Sequence, residues 1–140
     1  MNLQSSTLKA DETGQPFHVQ QANQIRAYRA AWAEAGHARA PRVSISRNIV
    51  ALVSDLDRAY FGPGGEDADQ IGYLGEAGRA IFGRSYVAEP EMLVEQLRQD
   101  TAIAEADTLL ITVPNQFGVA YNAHLLEAIL THVAPSLGWR

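Results

Sequence analysis

Apolar residues recur with two different periods along this chain, and the switches between them order its elements. From Phe17 to Ala35, the residues Ile25, Tyr28, Trp32 and Ala35 fall three and four apart, the stripe of an amphipathic helix. Gly36 follows, where a left-handed residue would end that helix. Over Arg42–Val53 the period shortens to two. Val43 and Ile45, then Ile49, Ala51 and Val53, take the odd positions, with Arg42, Ser44 and Ser46 between them. β-Branched residues alternating with polar ones predict a strand, its first part apolar on one face and polar on the other. Glu89–Ala106 returns to helical spacing, with Pro90 suited to the first turn and Leu93, Val94 and Leu97 opening the buried face. Asp107–Pro114 (DTLLITVP) is almost continuously apolar, as expected of a parallel strand buried on both faces. Tyr121–Ala134 predicts a last helix with Leu126, Ile129, Leu130 and Val133 on one side, ended by Pro135. Upstream, Asn2–Leu8 reads as a short strand, and Lys9–Pro16 as a loop marked by Gly14 and Pro16.

Ser54–Gly83 interrupts this alternation. Gly62, Gly64, Gly65, Gly72, Gly75, Gly78 and Gly83, mixed with acidic residues, predict an excursion with one or two helical turns around Asp67–Arg79. So long an excursion inside a compact domain is usually functional or mobile. The order strand, helix, strand, excursion, helix, strand, helix predicts a single α/β domain over residues 1–140, with parallel strands joined by helices.

Composition narrows the function classes. Hydrophobic residues at 46% and charged residues at 19% fit a folded domain rather than a disordered tail. No apolar run reaches the ~20 residues that cross a bilayer, so no membrane partner is expected. Residues 1–13 lack the apolar core of a signal peptide, and there is no cysteine to form a disulfide or a thiolate metal site. A cytoplasmic location is the resulting expectation. The net charge is −5 and the basic residues are scattered, which argues against nucleic acid as a partner. Lys9 is the single lysine among eleven basic residues. Arginine suits fixed, bidentate contact with an anion, and an Arg-preferring codon usage produces the same bias.

Few motifs carry chemistry. His18, His37, His124 and His132 lack metal-ligand spacing, and the last two are expected on the surface of the final helix. Asp55 and Asp57 (SDLDRAY) read as a turn or helix start rather than a paired carboxylate site. Gly62-Pro63-Gly64-Gly65 is no phosphate loop, because no Lys-Ser or Lys-Thr follows and Pro63 interrupts it. No Ser-His-Asp grouping is visible, so the catalytic residues are unknown at this stage.

LQSSTL, ETGQPF, a helix ending AWAEAGH, PRVSISR, FGRSYVAEPEML, ADTLLITVPNQFG and the terminal HVAPSLGW occur in that order. Together they resemble the bacterial luciferase-like flavin-dependent monooxygenases over nearly the whole chain. The resemblance implies a partial (β/α)8 TIM barrel: Asn2–Leu8 as strand six, Arg42–Val53 as strand seven, Ser54–Gly83 as the insertion after it, and Asp107–Pro114 as strand eight. A complete barrel takes about 250 residues. The chain is therefore expected to be the C-terminal part, about three βα units, inactive alone. Three strands leave two raw sheet edges. Such a piece is expected to oligomerise with itself, to need an N-terminal portion, or to refold as an open α/β sandwich.

The implied activity is oxidation of a small-molecule substrate, of unknown identity, by reduced FMN, or by a deazaflavin in some branches. The alternative is a non-catalytic interaction or dimerisation module derived from such an enzyme. The cofactor- or substrate-binding residues implied are Ser5 and Ser6 at the end of strand six, Arg42 and Ser44 at the start of strand seven, Arg79 and Arg84 near the end of the insertion, and Asn115 and Gln116 after strand eight. Ser44 stands where the family carries a second polar group, and a serine cannot transfer protons near neutral pH.

Overall fold

In a computed structural model, residues 2–9, 13–62, 68–73 and 78–139 are described, the side chain of Asn115 excepted. Their elements are β1 (Leu3–Ser5), β2 (Thr7–Lys9), α1 (Phe17–Glu34), β3 (Val43–Ala51), α2 (Asp55–Phe61), β4 (Gln70–Tyr73), β5 (Arg79–Phe82), β6 (Tyr86–Ala88), α3 (Pro90–Arg98), α4 (Thr101–Glu105), β7 (Thr108–Thr112), a 3-10 turn (Asn115–Phe117), α5 (Gly118–His132) and α6 (Ala134–Leu137). β1 and β7 both pair with β3 in a parallel-strand sheet, β6 pairs with β3 as well, and β2, β5 and β4 form a second, antiparallel sheet. The fold is mixed α/β, and no closed barrel forms among the described residues. The residues divide into two compact units.

The first unit comprises Met1–Ser46, Ala68–Gly83 and Asp100–Leu110. Here β1 runs parallel to β3 with Leu3 opposite Val43, Gln4 opposite Ser44 and Ser5 opposite Ile45. Side chains alternate across a strand, so the residues divide by parity. Val43 and Ile45 pack with Ala22 and Ile25 of α1 and Ala102 of α4, and Leu3, Tyr28, Ile103 and Leu109 border that cluster. Burying each such aliphatic side chain stabilises by about 1.5–3 kcal/mol. The other parity is polar or uncovered: Gln4 is exposed, Ser44 and Ser46 are half-buried, and Leu110 is 41% exposed. Two caps hold the helices. Gly36 takes φ 71° just past the end of α1, and the buried Asp100 accepts hydrogen bonds from the backbone N–H of Ala102 and Ile103 at the start of α4. Asp107 ties β7 to β3: its N–H donates to Val43 O at 2.9 Å, and its carboxylate accepts from Val43 N at 2.8 Å.

The second unit comprises Arg47–Asp67, Arg84–Gln99 and Ile111–Arg140. β6 runs parallel to the later part of β3, with Ile49 opposite Tyr86, Val50 opposite Val87 and Ala51 opposite Ala88. Ile49, Val50 and Ala51 are all buried, so both parities of the strand are covered here. Val50, Leu52, Val87 and Leu125 form one cluster, bordered by Phe61 and Tyr121.

Several sequence expectations differ from this structure. Asn2–Leu8 is two strands, β1 and β2, in different sheets, with a bend at Ser6 between them. In place of the helical turns expected around Asp67–Arg79, Gln70–Tyr73 and Arg79 belong to strands, and β4 pairs antiparallel with β5. Ile71, Tyr73, Ile81 and Phe82 carry that pairing with β-branched and aromatic side chains. Residues 63–67 and 74–77 of the excursion lie outside the described residues. Glu89–Ala106 divides into α3 and α4, because Asp100 caps a fresh helix instead of continuing the first. β7 is not buried on both faces, since Leu110 and Thr112 are exposed. Tyr86–Ala88 adds a short strand that the pattern did not single out.

Candidate functional site

The most concentrated polar chemistry lies in the second unit, just past the carboxyl end of β3. Ser54 is the N-cap of α2. Its hydroxyl accepts from Asp57 N at 3.2 Å, and the Asp57 carboxylate accepts from Ser54 N at 2.8 Å, a reciprocal capping box. Val53 N donates to the same carboxylate at 3.2 Å. Two side chains reach it from α5. The Tyr121 hydroxyl donates to Oδ1 at 2.5 Å, and His124 Nε2 lies 2.9 Å from Oδ1 and 3.1 Å from Oδ2. Tyr121 and His124 are three apart on a helix and so share a face.

Asp57 is 0% exposed. Burial pushes its carboxyl upward, but the hydrogen bonds from Tyr121, Ser54 and His124 outweigh that and bring it down to about 2. The same contact works in reverse on Tyr121: burial, the hydrogen bond to Asp57 and the Asp57 charge all push its phenol above the usual value. An ionised carboxylate only accepts hydrogen bonds. The proton between Asp57 and His124 therefore sits on Nε2, which leaves Nδ1 as the imidazole's basic nitrogen when the ring is neutral.

Aromatic rings stand beside this network. Tyr60 lies 4.8 Å from Phe117 and 5.2 Å, edge-on, from Tyr121, measured between ring centroids, and Tyr60 is 52% exposed. A cleft of about 580 Å3 opens near the carboxyl ends of β3 and β6, lined by Leu52, Ala88, Gly62, Met92, Arg58 and Glu89. Its volume suits a small molecule. The Arg58 guanidinium is held by Glu89 Oε1 at 2.8 Å and Asp55 Oδ1 at 3.1 Å.

The residues implied by the family resemblance are placed differently. In the first unit, Ser5 is buried and turned toward α1: its hydroxyl donates to Gln24 Oε1 at 2.6 Å, and Gln21 Nε2 donates to Ser5 O at 2.9 Å. Ser6 is exposed in the bend after β1. Arg42 is exposed at the amino end of β3, bonded to Thr108 Oγ1 at 3.3 Å. Ser44 faces the uncovered side opposite Gln4 in register. Arg79 is exposed at the start of β5. Within this unit, then, Arg42 and Ser5 lie toward opposite ends of the paired strands. In the second unit, Arg84 stacks over the Tyr86 ring at 4.7 Å, Gln116 is exposed in the 3-10 turn after β7, and Asn115 shares that turn.

Ser6 and Ser44 are hydroxyls of the kind that meet a flavin ring edge. Arg42 and Arg79, the implied cations of the first unit, lie on separate elements. Hydroxyls that a flavin ring could bond are present at Ser6 and Ser44, and among the described residues Arg42 and Arg79 are not shown gathered around a phosphate.

The Asp57–Tyr121–His124 network was not visible in the sequence. Ser54 and Asp57 spell a capping box, and Asp57 is indeed at a helix start, but nothing in the spacing links it to a helix more than sixty residues later. His124 is half-buried and bonded to Asp57, not the plain surface residue expected. Among the described residues no three His, Asp or Glu gather as a metal site, and no helix is long and apolar enough to cross a membrane. No protein-family model, no curated protein and no solved structure matches this chain.

Proposed function

We propose that this chain is the closing part of a luciferase-like, flavin-dependent monooxygenase, supplying strands six, seven and eight of a (β/α)8 wall as β1, β3 and β7. The observation that carries the reading is strand order. β1, β3 and β7 are parallel, and strands that follow one another as the βα units of the chain lie side by side. A barrel wall has this order throughout, whereas a doubly wound sheet reverses at a switch point. Same-handed crossovers between sequential neighbours place their helices on one face. In the first unit α1 and α4 share one parity of β3, which supports the reading.

Three βα units do not enclose a cofactor. The rest of the wall comes from a second copy of this chain, and the chain is inactive without it. Bound reduced FMN would supply the oxygen chemistry. This chain's share is to offer hydroxyls at Ser6 and Ser44 to the ring and to help keep water from it. To test this, the chain is mixed with FMN and passed through gel filtration. Flavin absorbance that co-elutes with an oligomer supports the reading, and a monomer that sheds all flavin contradicts it.

A specific observation favours a second reading, an interaction module without catalysis. α5 exposes Val119, Leu126 and Leu130 at 88%, 38% and 68%. Their spacing of seven and four makes one stripe along the helix. A stable oligomer that binds no flavin would favour this reading over the first.

A further inference from the structure

We propose that Asp57 and His124 form a proton-transfer dyad, with His124 Nδ1 as the base and Asp57 as its positioning residue. Its ligand is a neutral aromatic molecule with one weakly acidic O–H. The inference does not rest on the flavin reading.

Four observations carry it. The Asp57 carboxylate is fully buried, and its oxygens take hydrogen bonds from Val53 N, Ser54 N, Tyr121 and His124, so it cannot rotate away from the imidazole. The tautomer is set by chemistry: the ionised carboxylate accepts from Nε2–H, and basicity moves to Nδ1. The His124 side chain keeps 38% exposure, so the ring is reachable from solvent although its partner is not. Tyr60, Phe117 and Tyr121 form an aromatic shelf beside it, and the Tyr121 ring lies 5.4 Å from the imidazole. A helix cap alone needs neither a histidine nor a tyrosine from α5.

The ligand class follows from the surroundings. The rings favour an apolar, planar body. Arg58, the cation next in sequence to Asp57, is already bonded to Asp55 and Glu89, which disfavours an anion as the incoming species. In the transfer, the ligand's O–H bond breaks and its electron pair stays on oxygen. The proton forms an N–H bond at Nδ1, and the resulting imidazolium is stabilised by the Asp57 carboxylate.

Para-nitrophenol is a suitable probe, because its phenolate absorbs in the visible and its phenol does not. The full chain is titrated into the probe near neutral pH, where an ordinary imidazole is largely neutral and a substantial share of the free probe is still protonated. A phenolate signal that rises and saturates with protein is expected. It should vanish in His124→Gln and weaken in Asp57→Asn, which leaves the imidazole without the carboxylate that positions it. Circular dichroism confirms that each variant is folded. Should Asp57→Asn fail to fold, His124→Gln alone decides. An equal signal in wild type and His124→Gln, including none in either, overturns the proposal and leaves the network as a clamp between α2 and α5.

Discussion

The two units handle one strand in opposite ways. In the first, β3 is one-sided: Val43 and Ile45 sit in an aliphatic cluster with α1 and α4, while Ser44 and Ser46 look out from the other parity. In the second, Ile49, Val50 and Ala51 are buried in succession, and a polar network anchored on a buried carboxylate follows the strand's end. Each unit also buries one aspartate at a helix start. Asp100 is 1% exposed and caps α4, and Asp57 is 0% exposed, helps to cap α2 and also receives two side chains from α5. Asp57 thus serves both as part of a helix cap and as the anchor of a contact from a helix more than sixty residues later.

The strongest challenge to this contrast is core truncation. Ile45→Ala and Leu125→Ala should each cost about 3–4 kcal/mol, measured by urea unfolding, because each removes a fully buried aliphatic side chain from its unit's cluster. If the units unfold independently, each variant should shift one transition and leave the other in place.

Next in size is the pair of aspartates. Asp57→Ala strands the Tyr121 hydroxyl and two backbone donors, a loss of about 3 kcal/mol. Asp100→Ala should cost at least about 1 kcal/mol, the ordinary value of an N-cap, and less than Asp57→Ala. Equal losses in chemical denaturation would erase the distinction drawn between them.

Acid titration sharpens it further. The Asp57 carboxyl is depressed from 3.8 to about 2 in the folded chain. Its contribution is therefore complete above about pH 4 and disappears as pH falls toward 2, on the order of 2 kcal/mol at 1.36 kcal/mol per unit. Stability measured across that window should fall in the wild type, and the part due to Asp57 should be missing from Asp57→Asn. Tyr121 gives the alkaline counterpart. Its phenol is raised, so its contribution holds below about pH 10 and is lost as pH rises through the folded value. Tyr121→Phe should flatten that limb.

The smallest effects belong to the uncovered faces. Leu110→Ser in the first unit and Leu130→Ser in the second should change unfolding free energy by less than about 0.5 kcal/mol. Leu130→Ser should nonetheless weaken any self-association seen by light scattering, if the α5 stripe is an interface.

Much of the fold was legible because burial in it is periodic. α1, β3 and α5 lie close to where apolar spacing placed them, and Gly36 ends its helix with positive φ as expected. What escaped was set by a local cap or by tertiary contact. The break at Asp100 depends on a side chain choosing its own backbone. The pairing of β4 with β5 depends on the partner strand, and the exposure of Leu110 depends on nothing covering it. The candidate site escaped for a related reason: Asp57, Tyr121 and His124 are brought together by the fold alone.

The most direct test of the central claim is the mass of the species that carries flavin. The chain at micromolar concentration with FMN is run on gel filtration with in-line light scattering and absorbance. The account predicts flavin absorbance on a peak of at least twice the monomer mass. A single monomeric peak without flavin would contradict it.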